Sequence, residues 1–152
     1  SVRCINFGLD GMQSFSFTLE EERSAVLVPA GQVGTYLYEP NASVLKAGAF
    51  KQIAVRTGVK MLQVNSHLYT SDHLVSDFPG RRFRVDEVLS FTGKLCKGLS
   101  KTIPQANITV RNFPLSVEEL RKRTKITDGG HVYLFATTLV DGEKVLVKCS
   151  KA

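Results

Sequence analysis

Three histidines, His67, His73 and His131, have the most versatile side-chain chemistry in this 152-residue chain. An imidazole can act as the base beside a serine or cysteine nucleophile, or can bind a metal ion. The Gly-x-Ser-x-Gly segment that marks many serine nucleophiles does not occur in the sequence. His67 and His73 are separated by a predicted strand and loop, whereas a metal pair usually sits one helical turn apart. We therefore interpret the histidines as ordinary surface or core residues, and the sequence predicts neither a catalytic triad nor a metal site.

Cofactor loops and cysteine frameworks are also missing from the sequence. No Gly-x-Gly-x-x-Gly segment follows a predicted strand, and no Gly-Lys-Ser/Thr phosphate loop occurs. Cys4, Cys96 and Cys149 are odd in number and widely spaced, so neither a disulfide framework nor a zinc knuckle is expected. The sequence has no apolar run of about 18 residues and no signal peptide. These patterns favour a reduced, cytoplasmic setting and no membrane partner.

Positive charge is the remaining feature with chemical meaning. The chain carries a formal charge of +6, and all of the excess lies in its second half. Residues 1–80 hold six Lys/Arg and seven Asp/Glu, whereas residues 81–152 hold fourteen and seven. Lysine and arginine can neutralise phosphates and release counterions, which gives affinity for nucleic acid of any sequence. The candidate residues for binding nucleic acid are Arg81, Arg82, Arg84, Arg111, Arg121, Lys122, Arg123 and Lys125.

A solvated basic helix would explain the same charges without any ligand. Exposed aromatic side chains among the cations would favour single-stranded RNA, because bases stack on aromatic rings. Tyr36, Tyr38 and Tyr69 are the candidates, but each lies in a strand-like segment where burial is equally consistent. The two interpretations of the basic residues remain open at this point.

The first half of the chain begins with strand-like alternation. Cys4 to Phe7 and Gln13 to Thr18 predict a hairpin around Gly8–Gly11, and the acidic run Glu20–Glu22 reads as a solvated surface. Because strand character begins near the first residue, without an initiator Met, we expect the chain to be part of a longer polypeptide. The further predicted elements are a strand over 33–38, helices over 43–47 and 49–57 with Gly58 as the stop, and strand character over 67–70.

A strong turn signal at Asp77–Gly80 predicts a boundary near residue 80. Beyond it we predict strands over 84–91 and 107–111, a short basic helix over 94–101, and a hairpin of 132–139 with 144–149. Ser116 and Glu119 form a capping-box sequence, with Leu115 placed to pack on Leu120, so a helix should begin there. The resulting order, β-α-β-α-β-β, predicts an α+β fold in which helices cover one face of a mixed sheet.

Several long motifs carry a resemblance to a known family. These are the runs Tyr38–Phe50, Asn65–Ser71, Arg111–Ser116 and Tyr133–Thr138. The chain resembles the C-terminal region of bacterial S-adenosylmethionine-dependent methyltransferases that carry a THUMP-like domain. The resemblance implies that residues 1–32 end a small ferredoxin-like segment, as a hairpin remnant, and that residues 33–152 form a THUMP-like α/β domain, with a possible subdivision near residue 80.

The resemblance also implies a function. THUMP-type domains hold structured RNA, typically transfer RNA, for a separate catalytic domain. The methyl-donor site of the family lies in its N-terminal methyltransferase domain, so these residues alone should bind no S-adenosylmethionine and transfer no methyl group. The partners implied are that N-terminal domain and RNA. The alternative is a docking or oligomerisation domain that touches no nucleic acid, and an exposed apolar patch around Tyr36, Leu37 and Phe50 would favour it.

Overall fold

The computed structural model describes residues 2–8, 11–24 and 29–152. The chain divides into two compact units, Ser1–Arg82 and Phe83–Ala152. This division lies close to the turn signal at Asp77–Gly80, where the sequence predicts a boundary.

The first unit opens with the predicted hairpin. Strands β1 (Val2–Gly8) and β2 (Gly11–Phe17) pair in antiparallel register, while Leu9 and Asp10 lie outside the described residues. The alternation expected from the sequence is present, because Phe17 is buried and Ser14 and Ser16 are exposed. The hairpin therefore turns one apolar face inward, as predicted.

Helix α1 (Leu19–Ser24) contains the acidic run. Thr18 and Glu21 form a capping box: the Glu21 N–H donates to Thr18 Oγ1 at 3.0 Å, and the Thr18 N–H donates to Glu21 Oε1 at 2.9 Å. The Glu22 carboxylate accepts from the backbone N–H groups of Lys51 and Gln52 at 2.9–3.1 Å. Glu21 is exposed, as expected, and also caps the helix through a local contact over three residues. The prediction that this run is merely a solvated surface is wrong for Glu22, which binds backbone groups that sequence spacing does not reveal.

Two short helices follow the first strand of the unit's sheet, as the sequence predicts. They are α2 (Ala42–Ala47) and α3 (Phe50–Thr57). Gly48 and Gly58 end them with φ angles of 71° and 79°, in the left-handed region that glycine adopts without steric cost.

The sheet of the first unit has the strand order β4-β5-β3, with antiparallel pairs. Its strands are β3 (Tyr36–Pro40), β4 (Lys60–Met61) and β5 (Tyr69–Ser71). Strand β3 begins later than the predicted residue 33, because the Gly34 N–H binds the Thr70 side chain instead of a ladder partner. Strand β5 begins at Tyr69 rather than at residue 67, because His67 has a φ of 54° and leaves the extended region. The core of this unit is centred on Tyr38, Tyr69 and Phe78.

The second unit has the predicted order β-α-β-α-β-β, with its first helix divided in two, and it confirms the α+β class. Its strands are β6 (Gly80–Ser90, which starts in the first unit), β7 (Asn107–Arg111), β8 (Tyr133–Thr138) and β9 (Lys144–Lys151). They lie in the order β6-β9-β8-β7, and only β7 and β8 run parallel. The sheet is therefore mixed, as expected.

The predicted helix over 94–101 is wrong as a single element. The chain forms α4 (Gly93–Cys96) and α5 (Leu99–Thr102) instead, with Gly98 at the N-terminus of the second helix. Glycine loses more backbone entropy than other residues inside a helix, so a break at this position is favoured.

Helix α6 (Val117–Thr124) begins where the sequence predicts. The Glu119 N–H donates to Ser116 Oγ and the Ser116 N–H donates to Glu119 Oε1, both at 3.1 Å. Leu115 and Leu120 belong to one hydrophobic cluster, together with Leu99 of α5. The same cluster includes Leu134, Ala136 and Leu146 of the sheet, so α5 and α6 cover one face of it.

Candidate nucleic-acid interface

Arg81 and Arg82, the first two candidate residues, lie in the first unit and are bonded within it. The Arg81 guanidinium contacts the Glu39 carboxylate, with Nη2 at 2.5 Å and Nε at 2.7 Å from Oε1. The Glu39 side chain is only 10% exposed, so the pair holds a largely buried charge. Arg82 Nη1 donates to the Ser76 carbonyl at 2.9 Å. Both arginines therefore hold neighbouring segments of the first unit together, although the Arg81 side chain is still 49% exposed.

Arg111 and Arg121 also bind protein groups, in the second unit. Arg111 is half-buried and Nη1 donates to the Val110 carbonyl at 3.4 Å. Arg121 donates to the carbonyls of Ile126 at 3.3 Å and Ala106 at 3.1 Å, and to Asp128 Oδ1 at 2.9 Å. One of these bonds joins α6 to the segment before β7, and the other two join it to the loop that follows the helix. The Arg121 side chain therefore acts in the packing of this unit.

The other candidates are exposed. They are Arg84 on β6, Lys122 and Arg123 in the last turn of α6, and Lys125 at its C-terminal cap. The negative end of the helix dipole favours cations at a C-terminus, so the three cations at the end of α6 also stabilise that helix. Their side chains nevertheless reach solvent, where an anion could bind them.

Three further exposed lysines occupy the neighbouring helices and were not among the predicted site residues. Lys94 lies in α4, Lys97 follows it, and Lys101 lies in α5. Leu95 of α4 packs against the hydrophobic cluster that contains Leu120 of α6, so the two helices lie close together. Burial raises the pKa of the Cys96 thiol in α4, and the Arg123 charge opposes that rise only in part. The basic run over 94–101 is the sequence feature that could have indicated these lysines as site residues, but we interpreted it only as a helix.

We define the basic helical surface as the six exposed cations of α4, α5 and α6: Lys94, Lys97, Lys101, Lys122, Arg123 and Lys125. Residues 93–125 contain eight Lys/Arg and two Asp/Glu. One of the acids, Glu119, has a pKa below its usual value, chiefly because of the Ser116 N–H and to a smaller extent because of Arg123 and Lys122. The surface is therefore predominantly positive and suited to phosphate groups.

The candidate base-stacking tyrosines are not available. Tyr38 and Tyr69 are fully buried, and Tyr36 is half-buried against the core of the first unit. Burial raises the pKa of Tyr69, whose hydroxyl donates to the Phe50 carbonyl at 2.5 Å. Phe91 and Phe113 in the second unit are half-buried against each other, with ring centroids 5.0 Å apart. The arrangement therefore favours contact with a phosphate backbone over stacking of bases.

The histidines and cysteines show no arrangement for chemistry in the described part of the chain. The His67 ring is stacked on Phe50, with centroids 4.0 Å apart, and His73 and His131 are exposed. Within residues 2–8, 11–24 and 29–152, no group of three or more His, Cys, Asp or Glu is placed to hold a metal ion. The three cysteines are free and buried, and burial raises the pKa of Cys149 to about 12.

The first unit contains a cavity of about 690 Å³. Its lining includes Lys60, His73 and Asp72, so groups of both charge signs face it. It differs from the basic helical surface, which belongs to the second unit and is mainly positive. None of the helices in the described residues is long and apolar enough to cross a membrane.

Comparisons with known proteins agree with this two-unit organisation. A family model described as a ferredoxin-like domain matches residues 36–79, and one described as a THUMP domain-like region matches residues 80–151. The chain has a ferredoxin-like and a THUMP-like domain. We had expected the ferredoxin-like part at residues 1–32 and the THUMP-like part at 33–152, whereas the two matches change over after Pro79, near the expected subdivision.

A solved structure supports the same assignment. The chain is similar to the crystal structure of a putative methyltransferase from Porphyromonas gingivalis W83, with a TM-score of 0.94 and 48% sequence identity. The similarity covers 99% of this chain and 37% of that chain. The chain thus spans little more than a third of the related protein's length. None of the curated proteins matches this chain. The family resemblance drawn from the sequence motifs is confirmed.

Proposed function

We propose that this chain is the substrate-recognition module of a methyltransferase and binds structured RNA, typically transfer RNA, through the basic helical surface. The observation that carries the proposal is the set of six exposed cations on α4, α5 and α6, within the THUMP-like domain. Arg84 is exposed in the same domain and is a further candidate. The bonded arginines, Arg81, Arg82, Arg111 and Arg121, are not part of the proposed surface.

The physical basis is neutralisation of phosphates. Each cation that replaces a condensed counterion contributes affinity that falls as the salt concentration rises. The aromatic rings of this domain are half-buried or buried, so base stacking contributes little. A folded RNA offers closely spaced phosphates on a rigid shape, and recognition of shape through backbone contacts suits such a surface.

We also propose that the catalytic step takes place elsewhere in a longer polypeptide. The related Porphyromonas gingivalis chain extends well beyond the matched part, and the sequence here carries no Gly-rich strand-to-helix loop for a methyl donor. S-adenosylmethionine would then bind a methyltransferase domain outside these residues, which is the expected intramolecular partner. Three free thiols favour the reducing conditions of a bacterial cytoplasm for this protein.

The patch that would favour the alternative function is not present. Leu37 is fully buried, and Tyr36 and Phe50 are half-buried against the core of the first unit. A docking domain that touches no nucleic acid therefore gains no support from these three residues.

Titration of the chain with transfer RNA at two salt concentrations tests the proposal. The variant Lys122→Gln, Arg123→Gln, Lys125→Gln should bind about tenfold more weakly, and the slope of log K against log salt should fall by roughly one for each lost phosphate contact. A matched control removes three exposed cations of the first unit, Arg23→Gln, Lys46→Gln, Lys60→Gln, with the same change of net charge.

The control separates a local site from a general effect of charge. It should keep at least half of the wild-type affinity if the basic helical surface is the binding site. Equal losses in the two triple variants would show that only net charge matters. Circular dichroism checks that the unmodified chain and both variants are folded. Absence of RNA binding by the folded, unmodified chain at low salt would overturn the proposed function.

A further inference from the structure

The outer face of the first hairpin carries apolar residues that the fold leaves in solvent. Arg3, Ile5 and Phe7 alternate with inward residues along β1, so all three share one face of the two-stranded sheet. Phe7 is 80% exposed and Ile5 is 39% exposed. Of the large apolar side chains that the structure describes as exposed, Phe7 is the aromatic one and the most exposed.

The opposite face of the hairpin already has a packing partner. Cys4 and Phe17 are buried in the core of the first unit, and Val2 and Phe15 pack against the same cluster. Strand β1 also contacts helix α2. The inner face of the hairpin thus packs against the rest of the first unit, and its outer face carries the exposed Ile5 and Phe7.

Single exposed apolar residues are common on protein surfaces and have no special meaning. The pair here is different, because Ile5 and Phe7 are consecutive residues of one strand face and form a contiguous apolar strip. Such a strip is typical of a sheet face that another part of a protein covers.

The comparisons indicate what could cover it. The hairpin precedes residue 36, where the ferredoxin-like match begins, and so lies outside both matched domains. The structural similarity nevertheless covers 99% of this chain, while reaching only 37% of the Porphyromonas gingivalis chain. The related protein therefore has a large additional part that a hairpin lying before both domains could contact.

We propose that the outer face of β1, with Ile5 and Phe7 at its centre, is the surface by which the first unit docks against the methyltransferase part of a longer polypeptide. The inference rests on the proposed function only in assuming that such a part exists. It requires no RNA and no residue of the basic helical surface. The docked interface would bury the Phe7 ring, which is 80% exposed here.

Hydroxyl-radical labelling with mass spectrometry measures the exposure of Phe7 directly. It is applied to the 152-residue chain and to a full-length chain in which these residues replace the matching 37% of the Porphyromonas gingivalis protein. We expect labelling of Phe7 to fall more than fivefold in the full-length chain. Leu74, which is 46% exposed, is the internal control and should change less than twofold. Equal labelling of Phe7 in the two chains overturns the proposal.

A second measurement covers the case in which the chimeric chain does not fold. The same comparison is made on the Porphyromonas gingivalis protein, full-length against its matched part, for the peptide aligned with residues 2–8. Protection in the full-length protein supports the proposal and equal labelling overturns it. If Phe7 becomes protected in the isolated chain as a concentration-dependent dimer forms, and Phe7→Ser abolishes that dimer, the occupant is a second copy and the proposal is wrong.

The outcome is independent of RNA binding. Protection of Phe7 without transfer RNA binding would retain the docking surface and remove the proposed recognition function. Salt-dependent RNA binding without protection of Phe7 would retain the recognition function and remove the docking surface.

Discussion

Arg56 and Arg81 of the first unit differ from the helix cations of the second unit in what they contact. In the first unit, Arg56 forms an ion pair with Glu21 at 3.0 Å, lies 5.1 Å from the Phe15 ring centroid and donates to the Ser16 carbonyl. Arg81 is bonded to Glu39 in the same unit. In the second unit, six cations of α4, α5 and α6 are exposed to solvent.

This difference shows that charge in a sequence does not by itself locate a binding surface. A guanidinium can bind carboxylates and carbonyls in a fixed fork geometry, and such a group is no longer available to a ligand. The lysines of α4 and α5 have flexible side chains on exposed helices and remain available. The number of internal acceptors near each cation decides its role.

The largest expected effect concerns two consecutive residues of α6. Arg121→Ala removes three hydrogen bonds, including those to the buried segments at Ala106 and Ile126, and should lower the free energy of unfolding by about 2 kcal/mol. Lys122→Ala removes an exposed side chain and should change it by less than about 0.5 kcal/mol. Urea unfolding followed by circular dichroism measures both values.

The two substitutions should have the opposite ranking in their effect on RNA affinity. Under conditions in which both variants are folded, Lys122→Ala should weaken RNA binding and Arg121→Ala should not. If Arg121→Ala retains full stability and loses RNA, then bonded and exposed cations are not distinct classes, and the contrast drawn between them is wrong.

Removing the negative charge of Glu22, in the first unit, should have a smaller effect on the free energy of unfolding. Glu22→Gln keeps an oxygen acceptor at the N-terminus of α3 but loses the charge that interacts with the helix dipole and with two backbone N–H groups. We expect a loss of about 1 kcal/mol in unfolding free energy. The control Glu87→Gln, at an exposed position of β6, should change it by less than about 0.5 kcal/mol. Equal values would mean that Glu22 is merely solvated, as its sequence suggests.

Features that depend on neighbouring residues were predictable from the sequence. The capping box at Ser116 and Glu119 is a contact over three residues, and the structure contains both of its hydrogen bonds. The left-handed Gly58 after α3 and the alternation in β2 are of the same kind. Their physical cause is contained in the local sequence, so the pattern suffices.

Features that depend on distant residues were not predictable. The Glu22 carboxylate binds backbone groups 29 and 30 residues away, and nothing in the Glu20–Glu22 run signals it. Arg121 and Lys122 are adjacent in sequence, yet only Arg121 reaches the Ala106 carbonyl, because the path of the chain around α6 brings that group to one side of the helix. For the same reason the proposed surface differs from the predicted site: it leaves out four arginines that bind protein groups, and it adds Lys94, Lys97 and Lys101.

The smallest expected effect compares the two capping-box glutamates through their pH dependence. The pKa of Glu21 is lowered first by the Thr18 N–H and then by Arg56, and the pKa of Glu119 is lowered first by the Ser116 N–H. A carboxyl with a lower pKa in the folded state stabilises the fold above its ordinary value of 4.5, and that contribution is lost as the pH falls through the folded-state pKa.

Replacing either glutamate by glutamine should therefore reduce the loss of stability between about pH 6 and about pH 3. We expect the larger reduction for Glu21→Gln, because Arg56 donates to the Glu21 carboxylate directly at 3.0 Å, whereas Arg123 and Lys122 act on Glu119 only through their charges. Urea unfolding at several pH values measures the slopes. Equal slopes would show that the Arg56 ion pair adds nothing to a capping box. Arg56 would then contribute no more to the stability of the fold than the exposed cations of the second unit do, and it would join them as a candidate for binding.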